Sequence, residues 1–267
     1  MEGLELNQAM TNYGDEGLYF LHIPKTAGMT VWKAIASAHA PETICPYWLW
    51  DQLLGVPKAE LAKFQVFRGH FHGLLEAYLG RKLATFTLLR DPVERTISTY
   101  YYIRQSSDHP NHERACELSL LEFCLHEETR YRVENYQAGY LATFVFALDP
   151  AEVAMRLAAG QQPNRRVQVA LERSWGGIQP DVLLDAAREG LRRLRAAGTV
   201  ESLEKSMRIA GEALGCRFSL PAERQNVTLK RVPVGELDEA TLATIRSITA
   251  VDQALYDQVA AAVAAAG

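Results

Sequence analysis

The sequence predicts an α/β fold: a central parallel sheet flanked by helices, with a helix-rich C-terminal half. Three observations carry this. Apolar and β-branched runs at residues 18–23, in FQVFRGH from Phe64 and in LATFTLLR from Leu83 have the length of strands buried on both faces. Helical patterns follow the first and the third run, and such alternation builds parallel sheets. From Pro180 onward, helical periodicity dominates.

Each element has its own signal. The first run stops at Pro24, and a helical pattern resumes after KTAGMT, reaching Ile35. The second strand ends at Gly69 and the third at Arg90, where Pro92 suits the first turn of a helix. RQSSDHPNHERA, residues 104–115, is polar and turn-rich and reads as a loosely ordered connection. PDVLLDAAREGLRRLRAAG places Leu184, Ala187, Leu191 and Leu194 at helical spacing with arginines opposite, and Gly198 reads as its stop. A short strand end at Thr199 and Val200 precedes a helix closed by Gly215. The tail reads as two helices, with Asp252 as N-cap of the last. These apolar stripes read as core packing. With no internal repeat and no sharp shift in composition, the chain reads as one domain over 1–267, residues 1–16 forming a flexible N-terminal segment.

Composition narrows the function. The 267 residues, 48% hydrophobic, suffice for one substantial core. A net charge of −4 supplies no global basic field for nucleic acid, so any anion site must be local. Cys45, Cys116, Cys124 and Cys216 are scattered without a CxxC pair, which argues against a zinc site or disulfide framework and for a reducing compartment. The polar, acidic start lacks the regions of a signal peptide, and no apolar run is long enough to span a bilayer. A soluble, cytoplasmic protein is the expectation.

Two strand ends carry the chemistry. In HIPKTAGMT a strand, a loop and a helix start come together. Free helix N–H groups, a glycine that lets backbone approach closely, the Lys25 charge and the Thr26 and Thr30 hydroxyls suit a phosphate or sulfate. No acidic residue between Leu18 and Ile35 competes for Lys25, and GxxxxGK[ST] is absent. RDPVERTISTYYYIR repeats the arrangement: Arg90 ends a strand, where open α/β sheets bind ligands, and Ser98 follows eight residues later. Two anion sites suggest a ligand with two separated anionic groups. The competing reading pairs Asp91 and Glu94 with Arg90 or Arg95 as a structural ion network.

At these residues the chain resembles the sulfotransferases that use 3′-phosphoadenosine 5′-phosphosulfate (PAPS), of the sulfotransferase family 2 type. HIPKTAGMT looks like their 5′-phosphosulfate loop, with its PKxxGxT core, and RDPVERTISTYYYIR like their 3′-phosphate motif. The tyrosine run with its following arginine is similar to uronyl and heparan-sulfate 2-O-sulfotransferases. GTVESLEKSM, RQNVTLKR and VDQALYD resemble later family blocks. The resemblance implies a P-loop-like fold with a central parallel sheet and metal-free sulfuryl transfer to a hydroxyl or amine. It carries Lys25, Thr26, Gly28 and Thr30, with Ala27 and Met29 of the same loop, to the 5′ site, and Arg90 and Ser98 to the 3′-phosphate. Met29 departs from the small or hydroxyl residue that many members have there.

Sulfuryl transfer needs an in-line acceptor oxygen, a base for its proton and charge neutralisation on the leaving phosphate. Lys25 fits the last role. FRGHFHG offers His70 and His72 after a strand; His70 matches the family's GHF stretch and is the expected general base, with His72 secondary. Arg68 stands where the uronyl group has the first histidine of His-Gly-His. Glu76 is a fallback base, and His22, inside the first run, reads as a packed core residue. The HxH spacing lacks a third ligand nearby, so no metal is expected. The expected acceptor is a carbohydrate hydroxyl, for which Arg68, Arg81, Arg104 and Arg114 either line a basic cleft or are solvated surface. The rival readings are a small-molecule or polyketide O-sulfotransferase, a P-loop nucleotide kinase and a non-catalytic nucleotide-binding module. The missing Walker A and the missing Mg²⁺-holding carboxylate count against the kinase. Oligomeric state is left open.

Overall fold

A computed structural model describes residues 16–146, 148–158, 166–221 and 231–266. Residues 1–15 of the expected flexible segment, and all of RQNVTLKR except Arg231, lie outside the described residues. Glu16, the last residue of that segment, forms an ion pair with Arg195 at 2.9 Å.

Four strands form one parallel sheet in the order β2-β1-β3-β4. They are β1 (Leu18–Leu21), β2 (Val66–Gly69), β3 (Ala84–Leu89) and β4 (Ala196–Thr199). The first three are the expected apolar runs, and β1 and β3 are buried at every position. β1 pairs with β2 on one side (Leu18 with Val66) and with β3 on the other (Leu18 with Ala84). The chain therefore leaves β1 in one direction and returns on its other side. This reversal opens a crevice beyond the carboxyl ends of the strands, where α/β folds bind ligands.

Alternation along the strands builds two apolar layers. Leu18, Phe20, Phe86 and Leu88 face α1 (Gly28–Ala38) and the helix Leu203–Leu214. Tyr19, Leu21, Phe67 and Leu89 face the opposite way, toward a larger layer containing Tyr136–Ala142, Pro180–Arg192 and Ala250–Ala265. A third cluster, with Ile97, Ile103, Phe123 and Ile245, lies along α2 (Pro92–Gln105). Asp91 caps α2 by accepting from the Glu94 N–H at 2.9 Å, with Pro92 in its first turn as expected.

Two expectations are corrected. Gly198 does not stop a helix. The helix ends at Arg192, and Gly198 lies inside β4, paired with Leu88. Backbone bonds from Arg195 to the Thr85 carbonyl (2.8 Å) and from Val200 to the Leu89 carbonyl (2.9 Å) draw this small-residue segment into the sheet. Glycine is needed there because a Cβ would sit 2.3 Å from the Ser206 Cβ of the covering helix. Asp252, in turn, does not cap its own helix. It lies in the first turn of Ala250–Ala265, and its carboxylate accepts from the N–H groups of Ala138 (2.7 Å) and Gln137 (3.2 Å). It thereby caps Tyr136–Ala142, while Asn135 returns the favour by accepting from Val251 N–H at 3.0 Å. Among the described residues no helix is long and apolar enough to cross a membrane.

Candidate active site

The loop after β1 is wound tightly. Lys25 and Ala27 both hold left-handed backbone, at φ 72° and 61°, a conformation that costs a non-glycine residue on the order of 1–3 kcal/mol. Between them Thr26 is fully buried and donates its hydroxyl to the Ile23 carbonyl at 2.8 Å. That hydroxyl fastens the turn. α1 follows at once. Thr30 and Val31 donate back to the Ala27 carbonyl, whereas the N–H groups of Gly28 and Met29 have no intrachain acceptor among the described residues. Left-handed residues leading into a helix start form an anion-binding concavity. Thr30 is buried in the first turn, and Met29 is 41% exposed.

Gly28 has a further reason to be glycine. A Cβ there would lie 1.8 Å from Nε2 of His22, so the His22 ring occupies the space a side chain would need. His22 is therefore not the packed core residue expected. It follows the end of β1, is half-buried at the rim, and lies with its ring centroid 4.6 Å from that of His70. Burial, then the charges of His70, Arg68 and Lys25, hold its pKa well below the ordinary histidine value. Sequence reasoning missed this residue, because its neighbours at the rim come from β2 and from the loop.

Lys25 carries its ammonium 4.1 Å from the centre of the Tyr102 ring. Burial, with Arg90 and Arg95 nearby, lowers its pKa to about 8. Its carbonyl accepts from Nη1 of Arg90 at 3.3 Å, so the two expected anion motifs meet at the β1–β3 crevice. Gln137 clamps the Arg90 backbone from both sides, accepting from its N–H and donating to its carbonyl at 2.9 Å each. Arg90 also pairs with Glu94 at 3.0 Å, and Glu94 is held in addition by Arg231. The ion network thus coexists with the anion motif. Arg95 takes no part in it: fully buried, its guanidinium lies 4.0 Å from the Tyr136 ring centre and donates to the Arg132 carbonyl. Ser98 is buried on α2.

His70 follows directly on β2. Its Nδ1 lies 2.7 Å from the His22 carbonyl, which can only accept, so the neutral ring carries its proton on Nδ1 and its acceptor lone pair on Nε2. Its backbone N–H donates to the Trp48 carbonyl at 2.9 Å. His72 is not on this rim. A left-handed backbone (φ 55°) turns it into the core, where it is fully buried against Tyr140 and accepts from Trp50 Nε1 at 3.2 Å. Burial, followed by the His70 charge, holds its pKa well below the ordinary value. Glu76 is likewise occupied, accepting from Leu83 N–H at 2.8 Å and pairing with Lys82 at 3.6 Å. The four arginines do not line one cleft. Arg81 donates to the Phe64 carbonyl, Arg104 to the carbonyls of Ala115 and Cys116, and Arg114 pairs with Glu117 and Glu128. Arg68 alone stays at the rim. Among the described residues no three His, Cys, Asp or Glu side chains are grouped to hold a metal.

The rim therefore brings Lys25, Arg90, His70 and His22 together at adjacent strand ends. The chain is similar to a sulfotransferase. Heparan-sulfate 6-O-sulfotransferase 2 of Gallus gallus is 25% identical to it over 188 residues, covering 66% of this chain and 43% of that protein. The chain thus spans less than half the length of this curated relative. That relative is named for a 6-O position, not the 2-O position suggested by the tyrosine run. No family model matches the chain.

Proposed function

We propose that the protein transfers a sulfuryl group from PAPS to a carbohydrate hydroxyl. The observation that carries this reading is the contact between Arg90 and the Lys25 carbonyl, which joins two anion-binding strand ends into one crevice. A donor with anionic groups at its 5′ and 3′ positions fits such a pair. The 5′-phosphosulfate is assigned to the loop from Lys25 to Thr30, and the 3′-phosphate to Arg90 with Ser98. Similarity to a heparan-sulfate enzyme supports a saccharide acceptor.

In this reading the acceptor oxygen attacks sulfur in line. A new S–O bond forms as the S–O bond to the 5′-phosphate breaks, and the acceptor's proton passes to Nε2 of His70. Lys25 and the free N–H groups of the loop meet the charge that grows on the leaving phosphate oxygen. The products are the sulfated saccharide and adenosine 3′,5′-bisphosphate.

Calorimetry tests the donor assignment. Adenosine 3′,5′-bisphosphate is expected to bind far more tightly than AMP, which lacks the 3′-phosphate. Arg90→Ala is expected to remove about 2–4 kcal/mol of that binding, the usual worth of a charge-assisted pair. Equal affinity for the two nucleotides overturns the assignment. Mass-resolved transfer to a panel of saccharides, lipids and phenols tests the acceptor class.

A further inference from the structure

The Arg90 guanidinium already holds an anion, and that anion belongs to the chain. Glu94, in the first turn of α2, places Oε2 3.0 Å from Nη2 of Arg90, and Nη1 of Arg231 donates to the same oxygen. Two arginines, one at the end of β3 and one far along the chain, thus converge on a single carboxylate oxygen. Nη1 of Arg90 donates to the Lys25 carbonyl. Guanidinium groups gathered around one oxygen are the setting that a phosphate oxygen takes. Glu94 Oε2 stands in that place.

Burial gives the stand-in a purpose. The Arg90 side chain is only 16% exposed, and a buried charge without a partner is strongly destabilising. Glu94 neutralises it while no ligand is present. The same carboxylate then opposes a ligand, because a phosphate reaching Arg90 meets a like charge at close range. Glu94 also has room to move. It lines an open cavity of about 730 Å³ beside the start of α2. That lining holds Arg246 but also Asp91 and Asp257, so it accommodates a displaced carboxylate without drawing it off Arg90 beforehand. The helix need not shift, since Asp91 fixes the Glu94 backbone N–H at 2.9 Å and leaves its side chain to rotate.

We propose that Glu94 is an internal competitor for the oxyanion that Arg90 binds. It occupies Arg90 in the empty protein, swings into the cavity when a phosphate arrives, and so sets the affinity for nucleotides carrying a 3′-phosphate. This rests on the proposed function in one respect, that the oxyanion is the 3′-phosphate of the donor. The opposing role is a brace, in which Glu94 holds Arg90 in the pose that the phosphate needs. The two roles predict effects of opposite sign when the carboxylate is removed.

Binding to the full chain reads that sign. The probes are inorganic phosphate, followed by its effect on Tm, and adenosine 3′,5′-bisphosphate and AMP, followed by calorimetry. Glu94→Gln keeps the size of the side chain and removes its charge. It should bind phosphate and bisphosphate about tenfold tighter than wild type, the factor lost when a site is open about one-tenth of the time, and AMP within about twofold. Arg90→Ala in the Glu94→Gln background should abolish the gain. Glu94→Asp, shorter in reach but still charged, should fall between wild type and Glu94→Gln. Without ligand, Glu94→Gln should melt below wild type, and saturating phosphate should close the gap. A Glu94→Gln variant that binds phosphate no tighter than wild type, or tighter whether or not Arg90 is present, overturns the proposal. The two nucleotides report separately on the donor reading. Equal affinity of wild type for bisphosphate and AMP sinks that reading, while an Arg90-dependent gain for phosphate still leaves Glu94 the competitor.

Discussion

Two arginine-rich clusters in this protein are built by opposite rules. Behind Tyr136–Ala142, Arg132 pairs with Glu172, and Glu172 also accepts from Tyr136 at 2.6 Å and from Gln168 at 3.0 Å. Arg95 closes the group by donating to the Arg132 carbonyl. Arg132 there has a carboxylate partner, Arg95 a carbonyl and the Tyr136 ring, and both side chains are buried. At the rim, Lys25 rests on Tyr102 and Arg68 on Trp32, and neither has a carboxylate among the described residues. Aromatic faces hold a cation in place without neutralising it. The contrast separates side chains enclosed by the fold from cations held at its rim, although the residue types are the same.

The largest expected effect breaks the rim at its base. His70→Ala should lower turnover roughly 10²–10⁴-fold, the usual worth of a positioned general base, with bisphosphate affinity and Tm unchanged. Single-turnover transfer with saturating donor is the measurement. An active His70→Ala together with a crippled His22→Gln would move the base to the neighbouring ring.

The buried cluster should answer in the other currency. Glu172→Ala leaves the Arg132 charge buried and unpaired, and should cost about 3–5 kcal/mol in denaturant unfolding. Turnover per folded molecule should hold. A variant that keeps its stability but loses transfer would show that the two clusters are not separate.

Why the rim was only partly legible in the sequence follows from where its partners come from. β1, β2 and β3 announce themselves through their apolar runs, and α2 through Pro92, which suits a first helical turn. Lys25 and Arg90 were findable for the same reason: each sits where an apolar run breaks. Of β4 only the end at Thr199 could be read. Ala-Ala-Gly-Thr becomes a strand only because Thr85 and Leu89 offer carbonyls. His70 and His72, two residues apart, look alike in sequence. Only the left-handed turn at His72, and a Trp50 indole distant in sequence, send one into the core. Asp252 likewise acts across the fold, on N–H groups 114 and 115 positions away.

The smallest effect sharpens the comparison through pH. The Lys25 pKa falls from an ordinary 10.5 to about 8 in the folded chain. Between those values the unfolded chain binds more protons, so this residue makes the free protein more stable as pH rises from about 8 toward 10.5. Lys25→Met has no such contribution. Its Tm should therefore exceed that of wild type at pH 7, and the gap should narrow steadily as pH rises from about 8 toward 10.5. A bound phosphate reverses the preference, since it favours the ammonium. Bisphosphate affinity should be level below pH 8 and fall by up to about tenfold per pH unit above it, because binding then requires proton uptake. Lys25→Arg, charged throughout, should abolish that slope. Calorimetry at pH 7, 8 and 9 reads it directly, and a wild-type affinity that stays level to pH 9 would mean that the Lys25 ammonium does not touch the bound anion.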